Sequence, residues 1–294
     1  MTKKEGVKMV LFGPSGCGEE FTQEGHKGIL EVPEWIKNKG LDLYEYSFGH
    51  GYQMSTELAR TAGKKFKENG IDLSLHAPFY INFANPNEEM YQKTQGYIYA
   101  GLRFLKAFEC QRLIFHPASC GTMKRKDAYN LTYKRFDEFF NKLDEEKLLD
   151  DILMCPETMG KTAQIGTYKE VVDLCKLNRH LVPTFDFGHI NSLEQGSLKN
   201  KDDFKRILDY SLENIGYDKT NNCHIHFSKI QYGNKGEVRH LNYDDEIYGP
   251  EFDGLAEALI EYNLSPHVIC ESMSQMPHDA LIMKKIYNKM LANG

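Results

Sequence analysis

Paired cysteines are what this sequence most plainly lacks. It has seven cysteines, an odd number, and no two of them form a Cys-x-x-Cys pair. That excludes the paired-thiol zinc and redox motifs, and the odd count argues against a disulfide framework. Cys155, Cys223 and Cys270 lie inside apolar, strand-like runs, where a free thiol acts as a small hydrophobe. The reading is a reduced, cytoplasmic protein. Long apolar runs are missing as well. None approaches the ~18–20 residues that cross a bilayer, so no membrane partner is expected. Nor does Met1-Thr2-Lys3-Lys4-Glu5 lead into an apolar stretch of signal-peptide type, because Gly13, Pro14 and Ser15 interrupt at once. An excess of basic charge is absent too. Lys and Arg number 36 against 42 Asp and Glu, a formal net charge of -6, whereas a generic nucleic-acid binder is usually basic. Bound cations would offset part of that negative charge locally.

What is present is the balance of a globular protein, 41% hydrophobic and 27% charged. Short apolar runs alternate with longer helix-like segments from end to end. The runs are Lys8–Phe12, Leu41–Tyr46, Ile71–Leu75, Arg112–His116, Ile152–Glu157, Val182–Asp186, Asn222–Phe227 and Val268–Glu271. Several are nearly continuous in branched and aromatic residues, as strands buried on both faces are. Between them Met54–Asn69, Tyr91–Glu109, Asp127–Lys147, Tyr168–Lys176, Asp202–Ile215, Phe252–Tyr262 and Ala280–Leu291 carry apolar residues at helical spacing. Leu30–Asn38 is the weak member, interrupted by Pro33. Strand–helix repeated eight times in 294 residues predicts an α/β fold, one (β/α)8 TIM barrel filling residues 1–294 as a single domain. Gln231–Glu251 reads as a long irregular loop after the seventh strand, and long loops of this kind tend to be functional.

Histidines and carboxylates fall on that map in a pattern. His76 ends the third strand, His116 the fourth, Glu157 the fifth and Asp186 the sixth, with His189 following; His226 is near the end of the seventh and Glu271 ends the eighth. Barrel active sites form at that end of the strands. Taken singly, a histidine at a strand end is more often a hydrogen-bonded rim residue than a ligand. Seven such groups at one end are another matter. Each buried carboxylate or imidazole costs several kcal/mol unless paired or metal-bound, and at that end the strands carry no matching basic residues. Metal cations are the economical partner. Imidazole and carboxylate without thiolate suit Zn²⁺, Mn²⁺ or Fe²⁺. The number of ligands exceeds what one tetrahedral ion uses, which predicts at least two ions.

The runs His76-Ala-Pro-Phe-Tyr-Ile-Asn82, Phe115-His116-Pro117, Pro156-Glu157-Thr158, Asp186-Phe-Gly-His189, His226-Phe-Ser and Cys270-Glu271-Ser272 occur in order on consecutive strands. In these the chain resembles the endonuclease IV family of metal-dependent apurinic/apyrimidinic endonucleases, within the xylose-isomerase-like barrels. The resemblance implies two to three metals, usually zinc. His76, His116 and Glu157 would hold the first; Glu157 as bridge, Asp186, His226 and Glu271 the second; His189 and an Asp-x-His pair the third. His240 matches the last histidine of that pair, but its aspartate position is Val238, with Glu237 beside it. The third site is thus left to Glu237, to Asp244 or Asp245 of the same loop, or to nothing.

The resemblance also implies that Phe79 and Tyr80 wedge into a base stack, with Asn82 continuing the DNA-binding match. The family's basic residue after the second strand has no counterpart in Ser47–Gln53, which offers His50 instead, while Lys124, Arg125 and Lys126 follow the fourth strand. The implied partner is double-stranded DNA carrying abasic sites, met by a monomer that cuts the phosphodiester 5′ to the lesion. Glu157 and Glu271 are the implied catalytic carboxylates, Glu271 orienting or deprotonating the attacking water. Two other readings stand beside this one. A metal-dependent sugar or sugar-phosphate isomerase or epimerase would need only Glu157, Asp186, His226 and Glu271, and a barrel without catalysis could still recognise damaged DNA. The extra imidazoles His76, His116 and His189 favour the nuclease.

Overall fold

Eight short strands, most of their residues buried, alternate with helices along the chain. In the computed structural model, which describes residues 9–293, they are β1 (Leu11–Pro14), β2 (Leu43–Ser47), β3 (Asp72–His76), β4 (Arg112–Phe115), β5 (Leu153–Pro156), β6 (Thr184–Asp186), β7 (His224–Phe227) and β8 (His267–Cys270). Met1–Glu5 and the Lys8 start expected for the first strand lie outside the described residues. The helices are α1 (Glu20–Gln23), α2 (Val32–Asn38), α3 (Thr56–Asn69), α4 (Glu88–Phe108), α5 (Arg125–Glu145), α6 (Tyr168–Cys175), α7 (Phe187–Leu193), α8 (Lys201–Asn221), α9 (Phe252–Glu261) and α10 (Met276–Asn293).

All eight strands run parallel. They pair as two four-stranded ladders, β2-β3-β4-β5 and β6-β7-β8-β1. Single bridges close the ring: Ser15 to Glu45 joins β1 to β2, and Met154 to Leu181 with Glu157 to Thr184 joins β5 to β6. The result is a TIM barrel of the expected class. Its helical jacket packs through aromatic layers, such as Phe83, Phe115, Phe136 and Phe140, all buried, with Phe83 and Phe136 centroids 4.6 Å apart. Local signals set the helix starts. Ser55 Oγ accepts from Leu58 N at 3.2 Å to cap α3, and Thr167 with Glu170 forms a capping box at α6. All seven cysteines are free.

Two expectations need correction. Pro33 does not break the helix at Leu30–Asn38; it sits in the first turn of α2, where its missing N–H costs nothing. And Gln231–Glu251 is not irregular throughout. Lys229–Gly233 and Gly236–Leu241 form an antiparallel hairpin. Its register slips between Gln231, opposite Arg239, and Tyr232, opposite Glu237, so Val238 is an extra, unpaired residue.

Candidate metal centre

The strand ends deliver their side chains to one place. His76 is the last residue of β3, and Asp186 of β6; His116, Glu157 and Glu271 directly follow β4, β5 and β8. Asp186 lies beside His226 in the β6–β7 register. Glu157, 1% exposed, is the hub. Its Oε2 is 3.1 Å from His76 Nε2 and 3.2 Å from His116 Nε2, while its Oε1 is 3.2 Å from His226 Nδ1 and 3.4 Å from His189 Nδ1. Glu271 Oε2 adds a contact of 3.3 Å to His226 Nδ1. Three donor groups with ligand-like spacing follow: His76, His116 and Glu157; Glu157, Asp186, His226 and Glu271; and His189, Glu237 and His240.

The third group answers the question raised by Val238. An unbroken strand alternates its side chains, so residues three apart face opposite ways. The bulge at Val238 shifts that alternation by one. Val238 points to solvent, 59% exposed, and Glu237 comes round beside His240. Glu237 Oε2 is 3.5 Å from His189 Nε2, and Glu237 Oε1 is 3.9 Å from His240 Nε2. Gly160 makes room for this, since a Cβ there would stand 2.8 Å from His189 Cδ2 and 2.9 Å from Glu237 Cβ. Asp244 and Asp245 do not join the group. Asp244 is exposed, and Asp245 Oδ1 is taken by Ile247 N and Tyr248 N in a local turn.

Asp186 serves two structures at once. Its Oδ1 accepts from His189 N at 2.7 Å and so caps α7, an element absent from the sequence reading. Its Oδ2 is buried and has no aligned hydrogen-bond partner. Gly188 permits the turn, because a Cβ there would lie 2.5 Å from Ser228 O.

Electrostatics match the crowding. Burial would raise the Glu157 carboxyl, but the His226 charge and hydrogen bonds from His116 and His189 hold it well below the usual range. Burial also opposes ionisation of Glu271, and His226 outweighs it, drawing the pKa to about 2. Asp186 moves the other way, raised by burial despite His189. Burial alone would lower the imidazoles. Glu157 instead lifts His76 to about 9, and Asp186 with Glu157 lifts His189 to about 10.

Divalent cations fit this set. The donors are oxygen and imidazole nitrogen with no thiolate, as Zn²⁺, Mn²⁺ or Fe²⁺ prefer, and the buried Asp186 Oδ2, 3.2 Å from His189 Nδ1 but with no aligned hydrogen bond, has an unmet demand that an ion would fill.

The expected DNA-contact residues sit at the rim. Phe79 and Tyr80 are 46% and 49% exposed, with ring centroids 5.0 Å apart. His50 packs edge-on to Phe79, centroids 5.0 Å apart. Asn82 turns inward: its Oδ1 accepts from Ala84 N and Ser119 N and ties two loops together. Arg125 is likewise committed, to Thr162 O, Gln164 O and Glu170. Sequence reading missed Glu45 and His224, which lie in the barrel interior under the cluster, fully buried. The signal was there: His224-Ile-His226 puts two imidazoles on one face of a strand, and Glu45 is a charge inside an apolar run.

Residues 33–286 match the family described as xylose isomerase-like TIM barrel, and the chain belongs to it. An uncharacterized protein of Methanocaldococcus jannaschii is 30% identical over 96% of this chain and 98% of its own length. A probable endonuclease 4 of Staphylococcus carnosus is 26% identical over 74% of this chain and 70% of its own. Among solved structures, endonuclease IV from Thermus thermophilus superposes with a TM-score of 0.64 at 14% identity, covering 92% of this chain and 96% of that one. A D-tagatose 3-epimerase-like protein gives 0.67 at 19% identity, covering 88% and 91%.

Proposed function

We propose that the protein is a metal-dependent phosphodiesterase that cuts DNA 5′ to abasic sites. One observation carries this reading. Two imidazole-bearing groups, His76 with His116 and His189 with Glu237 and His240, flank the four residues Glu157, Asp186, His226 and Glu271 that a one-metal sugar enzyme would need. A phosphodiester presents several oxygens to neutralise at once, and an extended donor set serves that demand better than it serves proton transfer at a carbon. Similarity to relatives named endonuclease 4 supports it.

Divalent ions held by these groups would lower the pKa of a water and neutralise charge on the phosphoryl oxygens. The chain's own residues arrange the rest. Glu157 spans the first two groups with its two oxygens. Glu271, 17% exposed at its side chain, and His116, 25% exposed, are on the open side of the cluster, where a backbone phosphate can arrive. Glu271 stays ionised through the neutral range and can accept a hydrogen bond from the attacking water. Phe79 and Tyr80 offer flat faces to unstacked bases at the rim.

The sugar isomerase or epimerase reading has one observation behind it. The loop 47–53 after β2 carries no Lys or Arg to meet a phosphate backbone. A duplex with one tetrahydrofuran abasic analogue separates the two, because this analogue cannot be cut by β-elimination. A nick that disappears on chelation is the expected result. An intact strand with metal-loaded protein, together with epimerisation of a ketose or ketose phosphate, would replace the nuclease reading with the sugar one.

A further inference from the structure

The imidazoles of the cluster do not all face it the same way. His76, His189 and His240 each donate Nδ1–H to a backbone carbonyl, Ala77 O at 2.8 Å, Thr158 O at 2.9 Å and Glu271 O at 2.8 Å. In the neutral ring that ligation requires, this turns the Nε2 lone pair of His76 toward Glu157 and those of His189 and His240 toward Glu237, while His189 Nδ1 also lies 3.2 Å from Asp186 Oδ2 and 3.4 Å from Glu157 Oε1. His226 is reversed. Its Nδ1 faces Glu157 and Glu271, and its Nε2 points down into the barrel interior. No backbone carbonyl receives it there. It meets Glu45 Oε1 at 3.0 Å. The other Glu45 oxygen lies 3.0 Å from His224 Nε2 and accepts a hydrogen bond from Ser74 Oγ at 2.9 Å.

We propose that Glu45 is the positioning residue of the centre: it holds His226 as the tautomer protonated at Nε2, so that Nδ1 presents its lone pair to the ion shared by Glu157, Asp186 and Glu271. This rests on the metal-centre reading of those residues and is independent of the reaction assigned to them. Neutral imidazole has one N–H, and ligation at one nitrogen places that proton on the other. Glu45 Oε1 and His226 Nε2 have no other hydrogen-bond partner, and neither is reached by solvent, since both residues are 0% exposed. A carboxylate in that layer of a barrel costs several kcal/mol unless it is paired; its pairs are the imidazole above it and the His224 and Ser74 groups that steady it. Carboxylates in this relation to a ligating histidine fix the ring and raise its basicity, and losing one typically costs 10–100-fold in metal affinity.

The trio Glu45, His224 and His226 also has ligand-like spacing. An ion there would require His226 to lose both ring protons and bridge two metals as an anion. The proposal places a proton in that gap, not an ion.

The test compares the wild-type chain with Glu45→Gln, which keeps the shape but removes the charge. Bound zinc per chain is measured by mass spectrometry after titration against a chelator, and the Co²⁺-substituted forms are compared by their visible absorption. Glu45→Gln is expected to lose about 10–100-fold in affinity for one ion only, with a changed Co²⁺ band and the remaining ions retained. His224→Gln leaves the charge in place but releases it, and is expected to show a smaller loss at the same ion; it carries the test if Glu45→Gln does not fold. Equal affinity and an unchanged Co²⁺ spectrum in both variants would overturn the proposal while leaving the metal centre intact. An ion lost outright in Glu45→Gln but kept in a Glu271→Gln variant, with the ion that Glu271→Gln weakens left at wild-type affinity by Glu45→Gln, would overturn it too, by placing that ion between Glu45 and His224. A wild-type chain that binds no divalent ion would overturn the metal-centre reading along with it.

Discussion

Glu237 and His240 face the same side of one strand although they are three residues apart, because Val238 between them is a bulge. The aspartate expected at Val238 is thus replaced in space, not in sequence, by its neighbour. Replacing Glu237 with Ala should lower the metal content by one ion per chain and leave the ions at Glu157 in place, as measured by mass spectrometry. Val238 is 59% exposed, so Val238→Ala should change stability by no more than about 0.5 kcal/mol in a denaturant titration.

Glu271 lies on the exposed side of the cluster, and its removal should separate turnover from folding. Glu271→Gln should unfold within a few degrees of the wild type while the rate of cleavage of an abasic duplex falls by roughly 10³-fold or more. Near-normal turnover in that variant would remove Glu271 from the chemistry.

Metal uptake should release protons. Against the pull of burial, the neighbouring carboxylates raise His76 to about 9 and His189 to about 10, which would keep both protonated near neutrality in the metal-free protein. Against its burial, His226 is raised well above the usual imidazole range as well, by Glu271, Glu45 and Glu157. Ligation requires the neutral ring, so on the order of three protons leave as the sites fill, and affinity falls as the pH is lowered. Calorimetry in buffers of different ionisation enthalpy counts them. The metal-free fold carries the opposite signature. A raised histidine pKa contributes stability that is fully present below the unfolded value of about 6.5 and is lost as the pH rises through the folded value. Chelated protein should therefore lose thermal stability as the pH climbs through about 9 and about 10, a loss the metal-loaded protein should not share.

Phe79 and Tyr80 are half exposed; they pack on each other, Phe79 meets His50 edge-on, and Tyr80 meets the core only through the partly buried Tyr97, centroids 6.0 Å apart. Truncating either to Ala should barely alter the melting temperature. Binding of an abasic duplex, followed by fluorescence anisotropy, should weaken by about 1–3 kcal/mol per lost stacking face. Equal binding by both variants would assign the pair to covering the barrel rim alone.

Much of this architecture was legible because a parallel barrel writes itself in two periods at once: apolar runs buried on both faces and amphipathic stretches between them. The strand ends could be read because a charge or imidazole closing an apolar run has few structural uses, as His76, Asp186 and Glu271 show. Three things escaped. The Lys229–Leu241 hairpin was hidden by its glycines and charges, which look like loop composition even though Gly236, at φ 92, turns the corner and lets the hairpin approach Gly160, whose carbonyl oxygen would stand 2.0 Å from a Cβ there. The orientation of Glu237 depends on a register slip, which is a relation between two strands and has no signature in either. Glu45 was passed over because burial of a lone carboxylate makes sense only once His224 and His226 are seen above it.

Among the described residues the two ladders of the barrel pair through isolated bridges, one of them made by Glu157 itself, with a few backbone hydrogen bonds such as Thr158 N to Thr184 O at 3.0 Å and Asp42 N to Phe12 O at 2.9 Å. His76 and His116 belong to one ladder, and Asp186, His226 and Glu271 to the other. Ions shared among these residues would therefore act as a clasp between two half-barrels that few backbone hydrogen bonds hold together. The amides along the β5–β6 seam should exchange with solvent faster once the ions are stripped, so the same atoms that would hold the ions would also keep the ring shut.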